Sequence, residues 1–140
     1  MSAKVFFDTN ILVYCFDVSD PEKRAIALSM VSTHLDQHTG IISWQVVQEF
    51  YNVALHKFKN PLSPEQVACF SREFLMPMCL VYPTEGVWKQ ALQIHQQTQY
   101  RFYDSLIVSA GLVSGAEILY SEDLQSGRVI DGLKIMNPFE

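Results

Sequence analysis

The chain has 140 residues, of which 49% are hydrophobic and 18% are charged. This length suits one folded domain, and the composition argues against an intrinsically disordered protein. The net charge of −5 argues against a protein that grips nucleic acid through its overall charge. The apolar runs are too short to cross a bilayer and no secretory signal is recognisable, so we expect no membrane association. Three cysteines without a CxxC arrangement favour the reducing cytoplasm.

The predicted elements alternate between strands and helices along the whole chain. The predicted strands are residues 3–7, residues 40–43, residues 78–82, the segment EILYS and the segment GLKIM. Helices are predicted from Asn10, after a cap at Asp20, from Trp44, after a capping box at Ser63, from Thr84 and from Tyr103. Gly115 stands where the last helix should end. This alternation predicts an α/β fold: one domain over residues 1–140, with about five mostly parallel strands and helices on both faces.

Carboxylates fall where predicted strands end. Asp8 follows the first strand, and Glu122 and Asp123 follow EILYS. In open α/β sheets, ligands bind outside the carboxyl ends of the strands, so these acids should meet at one edge. Asp104 lies in the first turn of a buried helix and Glu49 near the start of another. The candidate constellation is Asp8, Glu49, Asp104 and Asp123, with Glu122 beside it and Asn10, Ser43 and Ser121 as supporting polar groups.

Such a cluster of acids implies a bound cation. Two unit charges about 4 Å apart repel by about 1 kcal/mol in bulk water and about 4 kcal/mol at an effective dielectric constant near 20. Three or four carboxylates must therefore protonate or share an ion. Oxygen ligands with open positions suit Mg²⁺ or Mn²⁺, which can activate water and polarise a phosphoryl oxygen. The chemistry that this arrangement predicts is hydrolysis of a phosphodiester.

Four segments in order resemble the PIN domain family. They are FFDTNILVY, the interior QEF, YDSLIVSA and YSEDLQSG, and together with the closing NPF they look most like VapC-type ribonuclease toxins. The resemblance implies a Mg²⁺- or Mn²⁺-dependent endoribonuclease that cleaves RNA in the cytoplasm, frequently forms homodimers and is blocked by a small antitoxin. It implies that the metal-binding acids are Asp8, Glu49, Asp104 and Asp123, with Asn10 and Ser121 in support. Many members have Thr-x-Asp at the last motif, whereas this chain has Ser121, Glu122 and Asp123.

Each acid also has a structural interpretation. Asp8 and Asp104 could cap their helices, and Asp123 could be a turn residue. On a helical wheel Glu49 faces solvent, and the choice between Glu122 and Asp123 stays open. Two other functions compete with the nuclease. A phosphatase that forms an aspartyl-phosphate on Asp8 would need an acid where Asn10 stands, and a catalytically silent module would use the fold only to bind RNA or a protein.

Overall fold

A computed structural model describes residues 3–140 as a six-stranded sheet with helices packed against it. The strands are β1 (Val5–Phe7), β2 (Gly40–Ser43), β3 (Cys79–Val81), β4 (Ile118–Tyr120), β5 (Val129–Ile130) and β6 (Leu133–Met136). Their order is β3-β2-β1-β4-β6-β5, and every neighbouring pair is parallel except β5 with β6. The predicted α/β class and mostly parallel sheet are confirmed. The short strand β5 adds one to the expected five, and the first two residues of the predicted domain lie outside the described residues.

Helices connect the first four strands. They are α1 (Thr9–Tyr14), α2 (Pro21–Asp36), α3 (Trp44–His56), α4 (Pro64–Phe70), α5 (Met76–Met78), α6 (Glu85–Thr98) and α7 (Phe102–Val113), with a π-helical turn at Ser71–Leu75. The predicted caps Asp20 and Ser63 form, and Thr84, where a helix was predicted to begin, caps α6; each accepts a hydrogen bond from a backbone amide in the first turn. Gly115 has φ +78° just beyond α7, a conformation that glycine adopts without strain.

The path of the chain across the sheet reverses at β1. From β1 the chain moves outward through β2 to β3, and it then returns to place β4 on the other side of β1. Because crossovers between parallel strands are right-handed, the outward and return helices lie on opposite faces of the sheet. The gap between β1 and β4 is therefore the topological switch point, where open α/β sheets bind their ligands.

The core fixes this central position of β1. Val5, Phe6 and Phe7 are at most 2% exposed, and Leu119 of β4 beside them is fully buried. Burial of one such side chain stabilises a fold by about 1.5–3 kcal/mol, so this pair of strands anchors the edge that carries the acids. Over the described chain, no helix combines the length and the apolar character needed to cross a membrane.

Candidate active site

A cavity of about 260 Å³ opens at the carboxyl ends of β1 and β4. It brings together all four acids of the predicted constellation, from four separate parts of the chain. Its lining consists of Asp8, Thr9, Asn10, Gln45, Glu49, Asn52, Val53, Lys57, Asp104, Ile107 and Asp123. We call it the acidic cavity.

Asp8 is both the cap of α1 and a wall of the acidic cavity. One carboxylate oxygen accepts from the Thr9 amide at 2.7 Å, and the other accepts from the hydroxyl of Ser121 at 2.8 Å. The Asp8 amide donates to the carbonyl of Tyr120 at 3.0 Å, so hydrogen bonding between β1 and β4 continues into the site. The capping and site interpretations of Asp8 are therefore compatible, because the two oxygens have different partners. Ser121 is fully buried behind Asp8.

Glu49 faces the acidic cavity from α3. It is partly buried, and its carboxylate accepts from the hydroxyl of Thr9 at 2.6 Å. The helical wheel places Glu49 away from the core, and the structure agrees, because this side of α3 borders the acidic cavity. Thr9 thus links two acids: its amide donates to Asp8 and its side chain to Glu49.

Asp123 and Asp104 complete the acidic lining. The carboxylate of Asp123, in the loop after β4, accepts from the side-chain amide of Asn10 at 2.5 Å. Asp104 lies in the first turn of α7 and is partly buried. Asn10, two residues after Asp8, therefore acts as a hydrogen-bond donor to another member of the cluster, as a supporting polar group would.

Glu122 points away from the acidic cavity. Its carboxylate forms an ion pair with Lys23 of α2 at 2.5 Å and accepts from the hydroxyl of Tyr14 at 2.6 Å. The Lys23 ammonium lies over the rings of Tyr14 and Phe139, at 4.9 and 5.5 Å from their centroids. Glu122 is thus held by a separate cluster, and Asp123 is the member of the pair that lines the cavity.

The electrostatics of the cavity favour a bound cation. Burial raises the pKa of Asp8 to about 6; hydrogen bonds from Ser121 and Thr9 oppose the rise, and the charges of Glu49 and Asp123 add to it. Burial and then the charge of Asp123 raise the pKa of Asp104, with Arg101 opposing. Burial also acts to raise the pKa of Glu122, but hydrogen bonds from Lys23 and Tyr14 bring it below its usual range. Asp8 and Asp104, which line the cavity, are therefore harder to ionise than usual, whereas Glu122, which lies outside it, is easier to ionise.

The donor set suits a hard cation, although its side chains are held apart. Within residues 3–140, no three acidic, histidine or cysteine side chains are gathered tightly enough to hold one ion as they stand. Three of the four carboxylates instead have neutral donors: Ser121 for Asp8, Thr9 for Glu49 and Asn10 for Asp123. The acidic ligands are all oxygens, as Mg²⁺ and Mn²⁺ prefer. The chemistry of the donors fits such an ion, and the side chains would have to rotate to share it.

Sequence reasoning missed several residues of the lining. Gln45, Asn52, Val53 and Lys57 join Glu49 along one side of α3 and its end. Their spacing from Gln45 is that of a single helix face, and this was the signal available in the sequence. Ser43, expected as a polar support, instead caps α3 by accepting from the Val46 amide and lines a different cavity.

The sheet order and the acids at its switch point define an α/β protein with a candidate metal site. Comparison with family models identifies it further: the PIN domain model matches residues 5–130, and the chain belongs to this family. The resemblance read from the four sequence motifs is therefore confirmed at the level of the family. Comparison with the curated proteins gives no match.

Solved structures of low sequence identity share the fold. A toxin–antitoxin complex from Klebsiella pneumoniae aligns with a TM-score of 0.70 and 18% identity, covering 98% of this chain and 99% of that chain. VapBC2 from Rickettsia felis, bound to a DNA fragment from its promoter, gives 0.67 and 18%, covering 95% and 97%. VapC20 from Mycobacterium tuberculosis, a toxin that cleaves the sarcin–ricin loop, gives 0.58 and 16%, covering 86% and 90%. At these identities the likeness establishes the shared fold.

Proposed function

We propose that this chain is an endoribonuclease that depends on Mg²⁺ or Mn²⁺ and is the toxin of a type II toxin–antitoxin pair. The observation that carries the proposal is the convergence of Asp8, Glu49, Asp104 and Asp123 on one cavity at the switch point of the sheet. Membership of the PIN domain family supports nuclease chemistry. A fold neighbour that cleaves the sarcin–ricin loop supports RNA as the substrate.

The proposal gives each residue a role. Asp8, Asp104 and Asp123 would hold the ion, with Glu49 completing the acidic set. The bound ion would supply Lewis-acid polarisation of the phosphoryl oxygen and neutralise developing charge. With a pKa of about 6, Asp8 is mostly ionised at neutral pH and can act as a ligand. Ser121 and Asn10 orient Asp8 and Asp123, and a carboxylate of the set accepts the proton of the attacking water. We expect products with a 5′-phosphate and a 3′-hydroxyl.

A small antitoxin and a second copy of the chain are the proposed protein partners, and the cytoplasm is the proposed location. Several fold neighbours are toxin–antitoxin complexes, which supports a small antitoxin as the partner of this chain. We further propose a homodimer in the cytoplasm. Trp88 and Leu92, one turn apart on α6, are 45% and 48% exposed and offer apolar surface for self-association. Sedimentation of the wild-type chain against Leu92→Glu would test the dimer.

A catalytically silent module is the second candidate. It is favoured by one observation: within the described residues, no three acidic, histidine or cysteine side chains lie close enough together to hold an ion. Thermal unfolding with Mn²⁺ separates the two candidates, because specific binding to the folded state raises the melting temperature. A silent module should show no such rise, or the same rise in Asp8→Asn as in the wild-type chain.

Cleavage of total RNA tests the proposed activity. Wild-type protein should cut RNA when Mg²⁺ or Mn²⁺ is present and stop in chelator, and the ends can be mapped chemically. Asp104→Asn removes one carboxylate of the cavity and should abolish cleavage. Asp36→Asn, at the exposed end of α2, is the matched control and should cleave normally. Full activity of Asp104→Asn, or of the wild type in chelator, would refute the proposal.

A further inference from the structure

Lys57 is the single basic residue on the described lining of the acidic cavity. It follows the last turn of α3, where its amide donates to the carbonyl of Val53 at 2.9 Å. The negative end of the helix dipole stabilises a cation at this position. Four carboxylates repel a polyanion such as RNA, so a cation beside their cavity would offset this repulsion if the substrate is RNA.

A second cavity adjoins the first at Lys57. Its volume is about 430 Å³, and it shares Val53 and Lys57 with the acidic cavity. Its apolar floor includes Phe16, Phe58 and Leu62, and Lys59 and Asn60 line it beyond Lys57. We call it the lysine groove. Because both are lined by Val53 and Lys57, the two cavities are neighbours, with the acids in one and an apolar floor beside two lysines in the other.

The two lysines of the lysine groove are open to an anion. Among residues 3–140, ion pairs with carboxylates involve Lys23 and Lys89, whereas Lys57 and Lys59 form none and are exposed. The one acid on the groove, Asp17, accepts hydrogen bonds from the amide and hydroxyl of Ser19. The groove therefore offers two free ammonium groups with an apolar floor between loops, which are the components that bind single strands through phosphates and bases.

We propose that the lysine groove binds the single-stranded RNA segment next to the scissile phosphate. Lys57 and Lys59 contact backbone phosphates, and the floor around Phe16 and Phe58 takes a base. The inference rests on the proposed ribonuclease function and adds the place where the substrate leaves the acidic cavity. Phosphate contacts of this kind fix the position of the strand without reading its sequence.

Salt-dependent binding tests the lysine groove apart from catalysis. A labelled oligouridine is titrated in the Asp104→Asn background with Mn²⁺ at several salt concentrations. For single strands, each phosphate contact adds roughly 0.7 to the slope of log K against log salt. Lys57→Met and Lys59→Met should each reduce the slope by roughly 0.7 and weaken binding of different RNA sequences about equally. Lys134→Met, an exposed lysine of β6 that lines neither cavity, is the matched control and should leave the slope unchanged.

Two kinds of result would overturn the inference. One is that Lys57→Met and Lys59→Met leave the salt slope and the affinity for oligouridine unchanged, although the wild-type chain cleaves RNA. The other is a protein ligand: the variants bind oligouridine normally but no longer bind a polyglutamate peptide that the wild type binds. Failure of the proposed function can be told apart from failure of this inference. In that case the wild-type chain would cleave no RNA, whether or not the substitutions change the salt slope.

Discussion

Replacement of Asp8 by asparagine should stabilise the fold at neutral pH and abolish activity. The change keeps the shape of the side chain and removes its charge. The asparagine oxygen can still accept from the Thr9 amide, and its amide can donate to the hydroxyl of Ser121, which can either donate or accept. The variant therefore isolates the free energy of burying one carboxylate.

The pKa of Asp8 sets the size of this effect. Burial raises the pKa from 3.8 to about 6, and at about 1.36 kcal/mol per pKa unit the rise corresponds to about 3 kcal/mol. The folded form holds its proton more tightly than the unfolded form. Below a pH of about 4, Asp8 is protonated in both the folded and the unfolded state, so its burial does not lower the free energy of unfolding. Between 3.8 and about 6 the folded state loses stability as pH rises, and above about 6 the full loss of about 3 kcal/mol is present.

Urea unfolding in EDTA checks this reasoning. Asp8→Asn and the wild type should be about equally stable near pH 4, and the variant should gain up to about 3 kcal/mol over the wild type at neutral pH. At neutral pH, added Mn²⁺ should cancel most of this difference at a hundredfold excess over Kd, where it stabilises the wild type by about 2.7 kcal/mol, and should reverse the order at a thousandfold excess, where the stabilisation is about 4.1 kcal/mol. A stability difference between the two proteins that does not change with pH would refute the buried-charge account of Asp8.

Three further substitutions test separate contacts. Thr9→Val removes the hydroxyl that holds Glu49, so we expect weaker Mn²⁺ binding by calorimetry with little change in melting temperature; unchanged affinity would contradict this role. Gly40→Ala should destabilise the fold by about 1–3 kcal/mol in urea unfolding, because the added carbon would lie 3.0 Å from the Phe7 ring, and equal stability would show that the neighbours move aside. Glu122→Gln should leave Mn²⁺ affinity unchanged, since Glu122 lies outside the acidic cavity, and a large loss of affinity would make it a ligand.

Much of the architecture follows from local signals in the sequence. Helix caps at Asp20, Ser63 and Thr84 are local chemistry, and the short apolar strands between them imply crossovers and a parallel sheet. Two features have no such signal. Strand β5 has two residues, too few for an alternating pattern, and it forms because β6 pairs with it. The π-helical turn at Ser71–Leu75 lies where an uninterrupted helix was predicted, and Ser71 there hydrogen bonds to Tyr51 of α3, a tertiary contact.

The candidate site divides in the same way. The place of Asp8 in the site can be predicted from the sequence, because residues that follow parallel strands lie at the same edge of the sheet. The choice between Glu122 and Asp123 cannot be predicted in this way, because two adjacent loop residues are equivalent in the sequence until their hydrogen-bond partners are known. An ion pair with Lys23, about a hundred positions away along the chain, holds Glu122 outside the acidic cavity, and a hydrogen bond from Asn10 holds Asp123 on its lining. Lys57 cannot be predicted in this way either, because its place on the cavity depends on how α3 packs.

The order of strands in the sheet has a consequence for synthesis. β1 is made well before its partner β4 (Ile118–Tyr120). Until then Asp8 has neither the Tyr120 carbonyl nor the Ser121 hydroxyl beside it, and Asp123 does not yet exist. A growing polypeptide that has not yet been extended past Asp123 therefore lacks the four-carboxylate cavity on which the proposed RNA cleavage depends.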